Sequence, residues 1–259
     1  MAIKLKTGGG DLMKKGSTKY YLTAVLSVLF VIITIAVVVF NTGWVSSKNN
    51  EYFLQNTNHK TEKCLSVPYM NQSDEYPTGC EIVSAAMVLQ YYQYDIPVNQ
   101  LIDCYLDKQE IWSSGGKLYG GNPNEVFVGD PRNSNSYGCY APVITNMLNQ
   151  VLTNHTAKTL NNISLEKLAN DYISKGQPVL VWVTIDMKSS YEGTKIYQQD
   201  GSTFQWIAPE HCMVFIGYDE ESYYFNDPYQ NHGVVQYPKE LVQQRYQEMQ
   251  QQAVIVTPN

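Results

Sequence analysis

Between Tyr21 and Phe40 the chain runs YLTAVLSVLFVIITIAVVVF, twenty residues without a charge. A helix rises about 1.5 Å per residue, so this run spans about 30 Å, the thickness of a bilayer's hydrocarbon core. In lipid the backbone must satisfy its own polar groups, and for a single segment only a helix does so. The sequence therefore predicts a cytoplasmic tail over 1–19, a transmembrane signal anchor over 20–42, a stalk over 43–62 and a folded domain over 63–259. Residues 1–19 carry five lysines against Asp11, a net of +4. The rest of the chain carries 13 Lys/Arg against 23 Asp/Glu, a net of −10, and the two make up the overall −6. Lysines beside a span hold that end inside, so the domain is expected on the outer face of the cell membrane. A cleaved signal peptide is the rival reading, but its apolar region is normally about 7–15 residues. An acidic domain is a poor partner for nucleic acid.

Removing residues 1–59 leaves 200, enough for one domain with its own core. Helical spacing of apolar residues places a buried amphipathic helix at Cys80–Tyr94, with Thr78 and Gly79 as cap residues and Glu81 suiting its positive end. Further helices are predicted at Val98–Leu106, Ala141–Leu152, Ser164–Lys175 and Lys239–Gln252. Residues 112–140, with two Gly-Gly steps, read as a long loop roofing a cleft. Pro178–Ile185 reads as a strand buried on both faces. His211–Tyr218 and Ser222–Asn226 form a hairpin, and Ala253–Val256 a last strand. Helices first and strands last argue α+β, with an antiparallel sheet against an N-terminal helix.

Five cysteines, at 64, 80, 104, 139 and 212, leave at least one thiol unpaired. Cys104 and Cys139 are one pairing among several that stay open. No Cys/His cluster has zinc spacing, so neither metal nor cofactor is expected. Cys80 opens a helix after a glycine that lets another segment approach closely, the setting that favours a thiolate. Cys212 follows His211 on a strand, points to the other face and reads as core. His211 begins a strand, where its ring can project toward the helix end. Asp227, at the end of the next strand, lies beside it across the hairpin and can orient the imidazole. Gln72, eight residues before Cys80, can donate to a developing oxyanion. His59, His155 and His232 read as surface residues. Taken singly, Asp227 is an ordinary turn residue and Gln72 a solvated amide. Their order and contexts together suit nucleophilic acyl chemistry.

VPYMNQSDEYPTGCEIVSAAMVLQYY (67–92) and HCMVFIGYDEESYYFNDP (211–228) resemble the Cys and His/Asp-Pro segments of the peptidase C39-like family of papain-type cysteine peptidases. GDPR (129–132), GCYAPVI (138–144) and GQPVLVWVT (176–184) resemble segments between them. The resemblance covers most of 65–257. It implies a papain-like fold, with Cys80 as nucleophile, His211 as general acid/base, Asp227 as orienting group and Gln72 in the oxyanion hole. Papain-like enzymes more often carry Asn as the third member, which keeps Asn226 as an alternative. Relatives in exporters cut leader peptides after Gly-Gly. This chain has no GxxxxGK[ST] motif, so leader processing is not carried over. The expected function is an extracytoplasmic, membrane-anchored cysteine peptidase or amide hydrolase acting on a peptide or protein, with the cell envelope as one source of substrate. Acyl transfer or peptidoglycan amidase-like chemistry on the same triad, and a non-catalytic surface module, are the alternatives.

Overall fold

The computed structural model describes residues 63–259 apart from position 74. The expected tail, span and stalk lie outside the described residues, and among the described ones no helix is long and apolar enough to cross a membrane. The main sheet has seven strands. Its path runs β12 (Gly233–Pro238), β11 (Ser222–Asp227), β10 (Glu210–Tyr218), β7 (Val179–Thr184), β13 (Gln252–Pro258), β6 (His155–Asn161), and β1 (Lys63–Cys64) also pairs with β10. All its pairings are antiparallel. The mixed α+β class expected from element order is the class observed. β7 is buried at every residue, as its unbroken β-rich run requires.

Helix α1 (Cys80–Tyr91) contains Ala85, Ala86, Met87 and Leu89, all good helix formers. It starts after Pro77-Thr78-Gly79 and stops at Tyr92. There Gln93 turns left-handed (φ 66°), and its N–H and that of Tyr94 return to Gln90 and Leu89 carbonyls. The helix is not amphipathic, since every residue from Cys80 to Leu89 is buried. It packs on β10, β7 and helix α2 (Ala141–Val151). Of the two expected cap residues Gly79 is the N-cap, its carbonyl accepting the Val83 N–H at 3.0 Å but with no side chain to add a bond, while the Thr78 hydroxyl reaches the Asn133 carbonyl (3.1 Å). The expected second helix is only a turn at Val98–Gln100 running into a π-helical stretch at Leu101–Tyr105. Helices α3 (Leu165–Asp171), capped by the Ser164 hydroxyl, and α4 (Lys239–Glu248) fall within their predicted ranges.

The segment expected as loop is partly sheet. β3 (Trp112–Ser114) and β4 (Lys117–Tyr119) join β8 (Tyr191–Tyr197) and β9 (Thr203–Ala208) in a four-stranded sheet. Val128, Ile196 and Trp206 form its small core. The same segment adds β5 (Phe127–Val128), parallel to β2 (Lys108–Gln109), and returns to the main body at Gly138–Tyr140. There the buried Trp182 indole of β7 donates to the Cys139 carbonyl at 2.9 Å. Tyr140 stacks on Trp206 with centroids 5.6 Å apart. We expect Trp182→Phe, which keeps an aromatic side chain but strands that carbonyl and leaves part of the buried indole's volume empty, to cost at least about 1–3 kcal/mol in urea unfolding. A change below a few tenths would mean the bond does not hold the segment.

Candidate active site

Cys80 is the first residue of α1 and is 6% exposed. The approach to Gly79 is as close as the sequence suggested. A Cβ there would lie 2.8 Å from the Tyr76 Cβ and 3.2 Å from that of Pro131. The Cys80 Sγ accepts the Cys212 backbone N–H at 3.4 Å and donates to the Glu81 Oε2 at 3.3 Å. The Ser84 hydroxyl, one turn on, donates to the Cys212 carbonyl at 3.1 Å. Helix and strand are thus joined at the residue next to His211.

Across the hairpin, His211 Nε2 lies 2.7 Å from Asp227 Oδ1. Both side chains are almost wholly buried. The other oxygen, Oδ2, lies 2.9 Å from His232 Nδ1, and the Tyr229 N–H adds a bond to Oδ1 at 2.9 Å. Burial pushes the Asp227 carboxyl up, but these bonds outweigh it and hold the group below its ordinary value. An ionised carboxylate only accepts, so both imidazoles donate to it. His211 therefore carries its proton on Nε2 and leaves Nδ1 as the acceptor. His232, expected as a surface residue, is instead half-buried as the second imidazole on Asp227. Its turn beside Gly233 gave no signal of this. Asn226 is turned elsewhere, donating to the Val67 carbonyl at 3.0 Å. His155, expected as a surface residue, is half-buried in β6 against Tyr92 and Tyr94.

Gln72 is buried rather than solvated. Its backbone N–H donates to the Pro228 carbonyl at 2.9 Å, beside Asp227. Its side-chain amide donates to the Tyr76 and Pro77 carbonyls through long contacts of 3.3 and 3.4 Å, and its Oε1 has no partner. The amide is thus held in the turn that leads to Cys80.

The thiol itself departs from expectation. Burial, then the charges of Glu81, Glu210 and Cys212, push it well above the ordinary thiol value, against a lowering bond from the Cys212 N–H. All five cysteines are free, so no pair involving Cys104 and Cys139 forms. Cys139 and Cys212 are fully buried, and Cys212 is core as expected. Sequence reasoning also missed the acid pair beside the thiol. Glu81, read from the sequence only as suiting the helix's positive end, is 0% exposed, and Glu210 is 8% exposed. The Glu81 Oε1 accepts the Cys139 N–H at 2.6 Å, while the Glu210 Oε1 has no partner. Burial raises Glu81 to about 7, and burial together with the charge of Glu81 raises Glu210 well above its usual value. Cys80, Glu81 and Glu210 each present a donor atom within 4.8 Å of the others, among the described residues the group able to hold a metal ion.

A cysteine opening a buried helix, set against an antiparallel sheet that carries a His–Asp pair, is the layout of a papain-like cysteine peptidase. The chain belongs to the Peptidase_C39 like family, whose sequence profile matches residues 64–254. It is 31% identical over 171 residues to YvpB of Bacillus subtilis (strain 168), an uncharacterized protein, covering 64% of this chain and 65% of that one. The chain thus spans just under two thirds of that curated relative. A crystal structure described as a C39-like peptidase from Bacillus anthracis superposes with a TM-score of 0.67 at 31% identity, covering 76% of this chain and 98% of that one. A double glycine motif protease from an AMS/PCAT transporter, in complex with its leader peptide, aligns at 19% identity with a TM-score of 0.42. That alignment covers 78% of this chain and 98% of the other.

Two pH effects on stability follow, with opposite signs. Asp227 sits below its usual 3.8, so its contribution is present above that pH and is lost as pH falls through the lower folded value. His232→Gln removes one of the bonds holding it down and should move acid unfolding to higher pH. Glu81 and Glu210 sit above their usual 4.5. From about pH 4.5 to 7 the unfolded chain has lost protons that the folded chain keeps, so stability falls as pH rises through that window. Glu210→Gln should flatten that fall in melting temperature against pH. An unchanged slope would show the pair is not a buried acid in solution.

Proposed function

We propose that this chain hydrolyses amide bonds in peptide or protein substrates, with Cys80 as nucleophile, His211 as acid/base, Asp227 as orienting group and Gln72 as oxyanion donor. The observation that carries the reading is the junction at His211. Its Nε2 is fixed on Asp227 at 2.7 Å, while the N–H of the next residue sits on the Cys80 sulfur at 3.4 Å. In the cycle, the Cys80 thiol leaves Glu81, gives its proton to His211 Nδ1 and attacks the carbonyl carbon. The oxyanion is held by the Gln72 amide and by helix-start N–H groups, which have no intrahelical partner. His211 then protonates the leaving amine, the C–N bond breaks, and an acyl-thioester remains on Cys80. Water, deprotonated by His211, attacks the thioester carbon; the C–S bond breaks, the acid leaves, and His211 returns the proton to the sulfur.

The raised thiol gives this reading a particular form. Burial and the neighbouring carboxyls favour the neutral thiol, so in this reading His211 takes the proton as substrate arrives. The Tyr21–Phe40 run anchors the enzyme in the cell membrane, N-terminus inside, with the domain facing outward.

A thiol-directed acyl analogue should label wild type, label Cys80→Ala not at all, and label His211→Ala far more slowly. In a peptide-library cleavage assay, Gln72→Ala should lower kcat about 10²–10³-fold with little change in KM. Labelling that persists in Cys80→Ala would move the nucleophile elsewhere. A folded wild type that neither labels nor cleaves any peptide would support a binding module in place of an enzyme. Added amines diverted into product would show acyl transfer.

A further inference from the structure

The proposed catalytic groups leave Glu81 and Glu210 without a role, although burying two carboxyls beside a thiol is costly. Three features of this cluster involve neither His211 nor Asp227. The Cys80 sulfur and the Glu81 Oε2 already meet at 3.3 Å. The Glu210 carboxyl enters from β10 with its Oε1 buried and unpartnered, an uncompensated loss that evolution rarely leaves in place. The third side is kept bare by Gly138, at φ 136°. A Cβ there would lie 2.5 Å from Glu81 Oε1 and 3.2 Å from Glu210 Oε2.

We propose that Cys80 Sγ, Glu81 and Glu210 form an inhibitory site for a borderline divalent cation of the Zn²⁺ type. One thiolate and two carboxylates suit such an ion better than they suit Mg²⁺ or Ca²⁺, which take oxygen alone. Zinc holds sulfur at about 2.3 Å and carboxylate oxygen at about 2.0–2.2 Å, so ligands around a tetrahedral ion stand roughly 3.5 Å apart. The donors here lie within 4.8 Å of one another, and modest side-chain rotations close them onto an ion. Three protein ligands leave a fourth position for water. Cys80 and Glu210 are 6% and 8% exposed, while Glu81 is fully enclosed. Binding displaces the thiol proton and whatever protons the acid pair holds, which pass to solvent. The ion then replaces them as the charge that compensates the pair. With its sulfur coordinated, Cys80 can neither transfer a proton to His211 nor attack a carbonyl. The inhibition rests on Cys80 being the nucleophile, whereas the binding does not.

The site differs from the one expected for a metal poisoning a cysteine–histidine pair, which would use His211, and the experiment turns on that difference. In the full chain carrying Cys64→Ser and Cys104→Ser, which removes the exposed thiols, Cd²⁺ titration follows the thiolate-to-metal charge-transfer band. Zn²⁺ affinity is read by competition with a chromophoric chelator. We expect one equivalent of metal, no band in Cys80→Ala, and at least about 10-fold weaker binding in Glu210→Gln and in Glu81→Gln. His211→Ala should bind as the parent does. Melting curves identify any variant that fails to fold, and Glu210→Asp supplies a milder change at that position. Turnover should be blocked by Zn²⁺ and restored by chelator, with Glu210→Gln needing about 10-fold more metal for the same inhibition. Loss of binding in His211→Ala, unchanged binding in both glutamate variants, or a band that survives Cys80→Ala would each overturn the proposal. Metal binding as expected with turnover unaffected would leave the site standing and remove Cys80 from the nucleophile's role.

Discussion

The structure depends on how one strand residue is held. Cys212 pairs with Trp182 of β7 on one side. On the other side, pairing with β11 begins only at Val214 opposite Asn226. The backbone groups of Cys212 are completed instead by helix α1, through the Cys80 sulfur and the Ser84 hydroxyl. A buried backbone group left unpaired costs about as much as a lost hydrogen bond. The helix is therefore fixed in rotation and in height against the sheet. His211 is the preceding residue, and the hairpin delivers Asp227 to it. A polar requirement of the main chain thus fixes the sulfur of one layer against the strand that carries the imidazole.

The Cys80 helix, the two-sided β7 strand and the His–Asp hairpin were legible because each lies in one continuous, largely apolar stretch bounded by turn residues. The second sheet was not. Its strands at 112–119 are polar and Gly-rich, and their partner β8 lies more than seventy residues further on. No local pattern announces a pairing whose stability comes from three buried side chains, Val128, Ile196 and Trp206. Glu81 and Glu210 were missed for a similar reason. Each borders a residue that drew attention, and only the fold brings their carboxyls to the same sulfur. His232 was hidden because a histidine in a turn looks the same whether its neighbour is solvent or a buried carboxylate.

The thiol shows how magnitude decides between two sound arguments. A helix start favours a negative group by about 0.3–1 kcal/mol, rising to about 2 in partly buried settings. Complete burial can shift an ionisation by about 3–5 pK units, at about 1.36 kcal/mol each. Two acidic neighbours add to burial here. The dipole is present and is outweighed. At the same helix start that seemed to promise a ready thiolate, burial and the two acidic neighbours push the thiol up and favour its neutral form.

The placement of β13 carries a consequence for biogenesis. It lies between β7 and β6, in the interior of the main sheet, and Ala253–Val256 are almost wholly buried. A nascent chain lacking these last residues leaves the β7 edge open and β6 with no neighbour. The domain therefore cannot close progressively as it emerges; it must wait for its final strand to be inserted, and until then its aliphatic edge is what a chaperone would find.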